Sequence, residues 1–189
     1  MSWRYLPNLI TAARIAMVPP LFWLMRDGDY RLAFWIALAA GASDALDGAL
    51  AKGFGWQSRL GGLLDPLADK LLIAACFVGL WSAGALPGWL LMLVLGRDAV
   101  IVAGAFAYHA LIGPVEGRPT LASKLNTAAQ IALALGLLTA LAFPLPWLQP
   151  DAPYWKAAHA LVALLTLLSG LHYIGAWGAL AWRQRRGRS

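Results

Sequence analysis

Charged side chains are scarce in this sequence. Only 13% of its 189 residues are Asp, Glu, Lys or Arg, whereas 60% are hydrophobic. That balance excludes an ordinary soluble domain and is typical of an integral membrane protein. The chain has one cysteine, Cys76, which excludes an internal disulfide. Its three histidines, His109, His159 and His172, have no spacing that would make them a set of metal ligands.

Long apolar runs make up most of the sequence. Six of them are near the ~20 residues that a helix needs to cross a bilayer. No internal repeat or low-complexity segment divides the chain, so we predict a single all-α membrane domain over residues 1–189. The predicted transmembrane helices cover residues 8–25, 31–51, 61–83, 87–111, 121–145 and 155–182.

The basic residues predict how these helices are oriented. If the termini and the loops after the second and fourth spans share one side, the opposite loops hold only Arg26, Arg31 and Lys156. Positive residues favour the cytoplasm, so we expect a multi-pass protein of a bacterial inner membrane with its termini inside. The basic tail R-Q-R-R-G-R directly follows an apolar helix, which indicates a membrane surface rather than nucleic acid as its partner.

Acidic residues are the scarcest charged group, and four of the nine lie close together between apolar segments. These four are Asp44, Asp47, Asp65 and Asp69. On helices, spacings of three and four place each pair on one face. Four acidic residues near the centre of a membrane helix cost about 10 kcal/mol. Either they face water at helix ends, or bound divalent cations offset the cost.

The chemistry of this acidic cluster favours hard cations. Carboxylates without His or Cys suit magnesium, manganese or calcium rather than zinc. Two pairs of carboxylates can hold two ions, an arrangement that clamps a phosphoryl group during its displacement. The expected location is the cytoplasmic side of the membrane, where the positive-inside orientation places the loop after the second span.

The segment that carries these acids resembles the signature of the CDP-alcohol phosphatidyltransferases, D-x2-D-G-x2-A-R-x8-G-x3-D-x3-D. All four aspartates match it, together with Gly48, Ala51 and Gly61. One position departs, because Lys52 stands where the pattern has Arg. Lysine keeps the charge but loses the bidentate geometry with which arginine binds a diphosphate. The P-N-L-I-T-A-A-R-I opening and the region from residue 97 to residue 130 extend the resemblance.

The resemblance implies a fold, a reaction and a set of roles. The family fold has six membrane helices and is commonly homodimeric, and the donor substrate is CDP-diacylglycerol, with CMP as leaving group. Two ions of magnesium or manganese are expected on Asp44, Asp47 and Asp65. Asp69 lies at the metal edge as a further ligand and as the general base that takes a proton from the acceptor hydroxyl. The residues assigned to CDP-diacylglycerol are Asn8, Thr11, Gly48, Ala51, Lys52 and Gly61.

Four more polar residues interrupt apolar surroundings or begin a span. Each is expected level with the aspartates near the cytoplasmic interface, where cationic and polar groups bind substrate phosphates. Long basic side chains also snorkel to the lipid headgroups, which is the alternative for Arg14 and Lys124. The four residues assigned to the acceptor and its phosphate are Arg14, Arg97, Lys124 and Asn126.

Asn126 bears on the choice of acceptor. Family members that use glycerol 3-phosphate carry G-K-x-K-T at this point, whereas this chain has A-S-K-L-N-T, so Asn126 replaces a second lysine. The loss of a cation disfavours an acceptor with a dianionic phosphate. The segment looks more like that of the eukaryotic-type cardiolipin synthases, which transfer phosphatidyl to phosphatidylglycerol. We therefore predict cardiolipin formation, with phosphatidylglycerol phosphate synthesis as the alternative.

A transporter is the alternative from another functional class. Acids and an arginine inside a membrane can form a pathway for cations or protons. The acids of this chain gather at one side of the membrane, however, and the sequence shows no related halves of the kind that transporters often have. The sequence therefore favours a membrane enzyme with lipid substrates.

Overall fold

The computed structural model describes residues 6–54, 59–111, 121–143 and 145–186. Side chains are described at residues 9–43, 67–104, 121–143, 145–173 and 175. Within these ranges the chain is helical apart from turns and the connection between residues 143 and 153, and it contains no strand. The prediction of an all-α protein is therefore confirmed.

Six helices make up the described structure. Each begins and ends within four residues of a predicted span, because the length of an apolar run and its bounding turns are local properties of the sequence. The helices are α1 (Leu6–Asp27), α2 (Tyr30–Phe54), α3 (Arg59–Ser82), α4 (Gly88–Leu111), α5 (Leu121–Ala142) and α6 (Tyr154–Arg186).

Glycines end two of these helices. After α1, Gly28 has a φ of 81°, and the N–H groups of Gly28 and Asp29 donate to the carbonyls of Met25 and Leu24 at 3.4 and 2.9 Å. This pattern is the Schellman motif, whose left-handed residue is usually glycine because it lacks a Cβ. The chain turns again at Gly84, with a φ of 74°, after α3. The two glycines thereby separate α1 from α2 and α3 from α4.

The helices pack as two compact units. The first contains Met1–Pro87 and Ala134–Ala152, and the second contains Gly88–Leu133 and Pro153–Ser189. A compact packing unit is not by itself an independent domain, so one domain over residues 1–189 stays a prediction.

In the first unit α1 packs against both α2 and α3. A Cβ placed on Gly79 of α3 would lie 2.5 Å from Met25 Sδ, so the glycine allows this close approach of α1. The chain just after α5 joins the unit through Phe143, whose ring meets that of Phe34 edge to face at 5.2 Å. The other buried side chains of this core include Leu21, Ala33, Ala37, Ala40, Phe77 and Leu80.

Among the described residues, three helices have a stretch long and apolar enough to cross a membrane. These stretches are Leu9–Asp27, Leu121–Ala142 and Tyr154–Tyr173. Much of their apolar surface, for example on α6, is exposed in the isolated chain. Large exposed apolar patches of this kind mark contact with lipid or with another protein. The exposed leucines of α6 are Leu161, Leu164, Leu167, Leu168 and Leu171.

Candidate active site

A buried arginine on α1 holds the aspartate that we predict to be the general base. Arg14 Nη1 donates a hydrogen bond to Asp69 Oδ1 at 2.8 Å. The packing of α1 on α3 brings together these two residues, which are 55 positions apart. The Arg14 side chain is fully buried, whereas that of Asp69 is 42% exposed. The bond therefore fixes one carboxylate oxygen of a group that still faces accessible space.

The burial of Arg14 excludes snorkelling to the membrane surface. A guanidinium inside a protein needs compensation by an opposite charge, and Asp69 supplies it. The predicted contact of Arg14 with a substrate phosphate stays a prediction. Thr11, one turn earlier on α1, is also fully buried, and its predicted contact with CDP-diacylglycerol likewise stays a prediction.

The rest of the acidic motif lies on α2 and α3. The backbone is helical at both aspartate pairs, so the spacing of three on α2 and of four on α3 is a helical spacing, as predicted. α2 contacts both α1 and α3 in the first unit. The roles of eight predicted site residues stay predictions, because their side chains lie outside the described residues: Asn8, Asp44, Asp47, Gly48, Ala51, Lys52, Gly61 and Asp65.

A second polar cluster, in the other unit, joins α4, α5 and α6 around Arg97. Arg97 Nη1 donates to Asp98 Oδ1 at 2.6 Å, and Nη2 donates to Ser123 Oγ at 3.1 Å and to Ser169 Oγ at 2.5 Å. The guanidinium carbon also lies 5.9 Å from the ring centre of Tyr173, a cation–π distance. Arg97 is buried, and a carboxylate within the cluster matches its charge.

Asn126 makes a further buried contact between α5 and α6. Thr166 Oγ1 donates to Asn126 Oδ1 at 2.9 Å, and Gln130 Nε2 donates to Thr166 Oγ1 at 3.4 Å. Thr166 lies three residues before Ser169, and Asn126 three residues after Ser123, so these bonds are one helical turn from those of the Arg97 cluster. Asn126 and Thr166 are fully buried. Within the described residues, Asn126 Nδ2 has no hydrogen-bond partner.

Sequence comparison identifies the family to which these helices belong. A family profile described as CDP-alcohol phosphatidyltransferase matches residues 4–180, nearly the whole chain. The chain belongs to the CDP-alcohol phosphatidyltransferase family. The resemblance carried by the acidic motif is thereby confirmed, and with it the all-α membrane fold of six helices.

Several similar proteins match half of the chain or more. It is 32% identical over 184 residues to the human protein named cardiolipin synthase (CMP-forming), covering 89% of this chain and 60% of the human protein. It is 32% identical over 177 residues to a probable phosphatidylglycerophosphate synthase of Mycobacterium tuberculosis, covering 89% and 79% of the two chains. A cardiolipin synthase (CMP-forming) of Streptomyces coelicolor is 38% identical over 103 residues, covering 51% of this chain and 48% of that protein.

CDP-alcohol phosphatidyltransferases generally depend on a divalent metal, and the chemistry of Asp69 fits one. Its carboxylate is a hard oxygen donor of the kind that magnesium and manganese prefer. One oxygen is held by Arg14, and the side chain stays partly exposed. The described side chains include no group of three His, Cys, Asp or Glu residues that would hold an ion. The other three predicted ligands lie outside that part of the chain.

Sequence reasoning did not identify Thr166 and Ser169. They interrupt an apolar run on α6 at a spacing of three, which is a signal for a polar face. Hydroxyl groups on helices often bond to their own backbone instead, as Thr139 Oγ1 does to Leu135 O at 2.6 Å. The sequence therefore could not distinguish an interhelical contact from a local one.

Lys124 is exposed on α5, and its predicted phosphate contact stays a prediction.

Proposed function

We propose that this chain transfers the phosphatidyl group of CDP-diacylglycerol to phosphatidylglycerol, giving cardiolipin and CMP. The main support for this proposal is the charge of the α4–α5–α6 cluster. The negative charge of Asp98 balances the positive charge of Arg97, and the buried Asn126 adds no charge. A phosphodiester with one negative charge suits this balance better than the nearly dianionic phosphate of glycerol 3-phosphate. The relatives named cardiolipin synthase support the same acceptor.

The proposed reaction assigns a separate task to each group. The acceptor hydroxyl oxygen forms a bond to the phosphorus that carries diacylglycerol, and the bond from that phosphorus to the bridging oxygen breaks. CMP leaves with the bridging oxygen, and the hydroxyl proton passes to Asp69, which Arg14 positions. When bound, two ions of magnesium or manganese supply positive charge for the diphosphate and the leaving CMP. The residues proposed to hold them are Asp44, Asp47, Asp65 and Asp69.

The setting of this reaction is also part of the proposal. We place the protein as a homodimer in the inner membrane of a bacterium, with one catalytic domain over residues 1–189 and its site facing the cytoplasm. The distribution of basic residues supports this orientation. Contacts with CDP-diacylglycerol are proposed for Asn8, Thr11, Gly48, Ala51, Lys52 and Gly61.

Product analysis tests the acceptor. Purified protein supplied with CDP-diacylglycerol, phosphatidylglycerol and Mg²⁺ or Mn²⁺ is expected to release CMP and form cardiolipin. Glycerol 3-phosphate is expected to react at about one tenth of that rate or less, since one missing cation contact is worth about tenfold. The competing assignment is phosphatidylglycerol phosphate synthase, a name that relatives of equal identity carry. Phosphatidylglycerol phosphate as dominant product, with no cardiolipin, would establish that competitor.

Lys52, the one departure from the family signature, gives a second test. If its ammonium group contacts the diphosphate, Lys52→Ala should raise the KM for CDP-diacylglycerol about tenfold, the effect of losing one charge-assisted hydrogen bond. Lys52→Arg should match or improve on the native KM, because arginine restores the bidentate geometry. Initial rates at varied donor concentration check this. An unchanged donor KM in the Ala variant contradicts the contact.

A further inference from the structure

Asn126 has a buried hydrogen-bond donor that no described residue satisfies. Its side chain is fully buried, its Oδ1 accepts from Thr166, and its Nδ2 has no partner within the described residues. Buried amide groups are nearly always hydrogen-bonded, so an exception calls for an explanation. Lipid chains offer no acceptor to a group on a membrane helix. The Nδ2 group is therefore a donor that a ligand oxygen can satisfy.

Arg97 has a second such donor in the neighbouring cluster. Arg97 Nε is buried without a hydrogen-bond partner in the described part of the chain, although both of its Nη atoms are engaged. The Arg97 contacts to Ser123 and Ser169 lie one helical turn from the contact of Asn126 with Thr166. Arg97 Nε and Asn126 Nδ2 are thus two unsatisfied donors in one unit, on helices that are joined by hydrogen bonds. Both can donate to a ligand that offers oxygen acceptors.

Thr166 determines which end of the Asn126 amide is turned away from α6. A threonine hydroxyl has one proton to donate. Because Gln130 Nε2 donates to Thr166 Oγ1 at 3.4 Å, that proton goes to Asn126 Oδ1 at 2.9 Å. The Nδ2 group occupies the opposite end of the amide. Without the hydroxyl, a half-turn of the amide would exchange donor and acceptor with almost no change in shape.

We propose that Thr166, supported by Gln130, is a positioning residue that presents Asn126 Nδ2 as a donor to an oxygen of the acceptor headgroup. This inference rests on the proposed function and names the chemistry of its acceptor subsite. A hydroxyl or a singly charged phosphodiester oxygen accepts a bond from a neutral amide and needs no additional cation. Thr166 on α6 thereby becomes a determinant of acceptor specificity, although it carries no charge itself.

The test compares Thr166→Val with Thr166→Ser. Valine keeps the shape but removes the hydroxyl proton, so we expect the KM for the acceptor to rise about tenfold, the effect of one lost hydrogen bond. The KM for CDP-diacylglycerol should stay within about twofold of the native value. Serine retains the proton and should restore the acceptor KM. Thr139→Val is the matched control, because its hydroxyl bonds to a carbonyl of its own helix, and both KM values should stay unchanged.

A binding measurement without turnover separates positioning from folding. Phosphatidylglycerol added to the detergent-purified protein should raise the Tm of the native chain and of Thr166→Ser, and should have much less effect on Thr166→Val. If both KM values rise together in Thr166→Val, or if the lipid raises its Tm as in the native protein, the proposal is wrong. If the native chain instead uses glycerol 3-phosphate, the proposed acceptor is wrong. The same KM comparison, made with glycerol 3-phosphate, then still decides the role of Thr166.

Discussion

Replacing Asp69 by Asn is expected to lower phosphatidyl transfer by about 10³-fold, within the range for loss of a general base. The amide oxygen can still accept the hydrogen bond that Arg14 donates at 2.8 Å, so the side chain stays in place. The amide cannot take the proton of the acceptor hydroxyl, however, and it is a weaker metal ligand. Release of CMP from CDP-diacylglycerol in the presence of phosphatidylglycerol measures the effect.

The same substitution at Asp151 is the control for Asp69→Asn. Asp151 is an exposed acid in the turn before α6, so Asp151→Asn should keep the native rate. Turnover by Asp69→Asn near that of the control would show that another group takes the proton. The role of Asp69 as base would then be wrong.

Asp69→Asn is also expected to reduce stability, because it removes a negative charge from a fully buried guanidinium. Removing one partner of a fully buried pair costs about 3–5 kcal/mol. The Asp69 side chain is 42% exposed, so water already weakens the interaction, and we expect a cost of about 2 kcal/mol. Thermal unfolding of the purified variant measures this loss, and rates should be compared at temperatures where both proteins are folded.

Replacing Arg14 by Ala is expected to lower kcat about 100-fold, the effect of misplacing a reacting group by about 1 Å. Arg14 fixes Asp69 Oδ1, and without it the carboxylate can turn away from the acceptor hydroxyl. Arg14→Lys keeps the charge but not the planar geometry, so it should lose about tenfold. Rates at varied concentrations of both substrates separate kcat from KM.

The KM values in this experiment distinguish two roles for Arg14. A residue that positions Asp69 changes kcat, whereas a residue that binds a substrate phosphate raises the KM for that substrate. Arg26→Ala is the control on the same helix, because Arg26 is exposed, with its guanidinium 5.5 Å from the ring centre of Trp23. A native kcat in Arg14→Ala, with a raised KM, would return Arg14 to the phosphate contact that the sequence predicts.

The sequence by itself determined the helices and the family. Helix bounds follow from the length of each apolar run and from turn residues such as Gly28 and Gly84, and these are local properties. The spacing within each aspartate pair, Asp44/Asp47 on α2 and Asp65/Asp69 on α3, is equally local, because three or four residues make one turn of helix whatever that helix packs against. The family followed from this spacing, and the match over residues 4–180 confirms it.

Only the tertiary structure decided which polar groups meet. Arg14 and Asp69 are 55 residues apart, and Asn126 and Thr166 are 40 apart. A helical pattern shows which residues share a face but not which helix packs against that face, since that choice depends on side-chain packing along whole helices. The packing of α1 on α3 therefore gives Arg14 a carboxylate partner that its sequence position did not reveal. The contact between α5 and α6 likewise places Thr166, a hydroxyl residue in an apolar run, where it can orient Asn126.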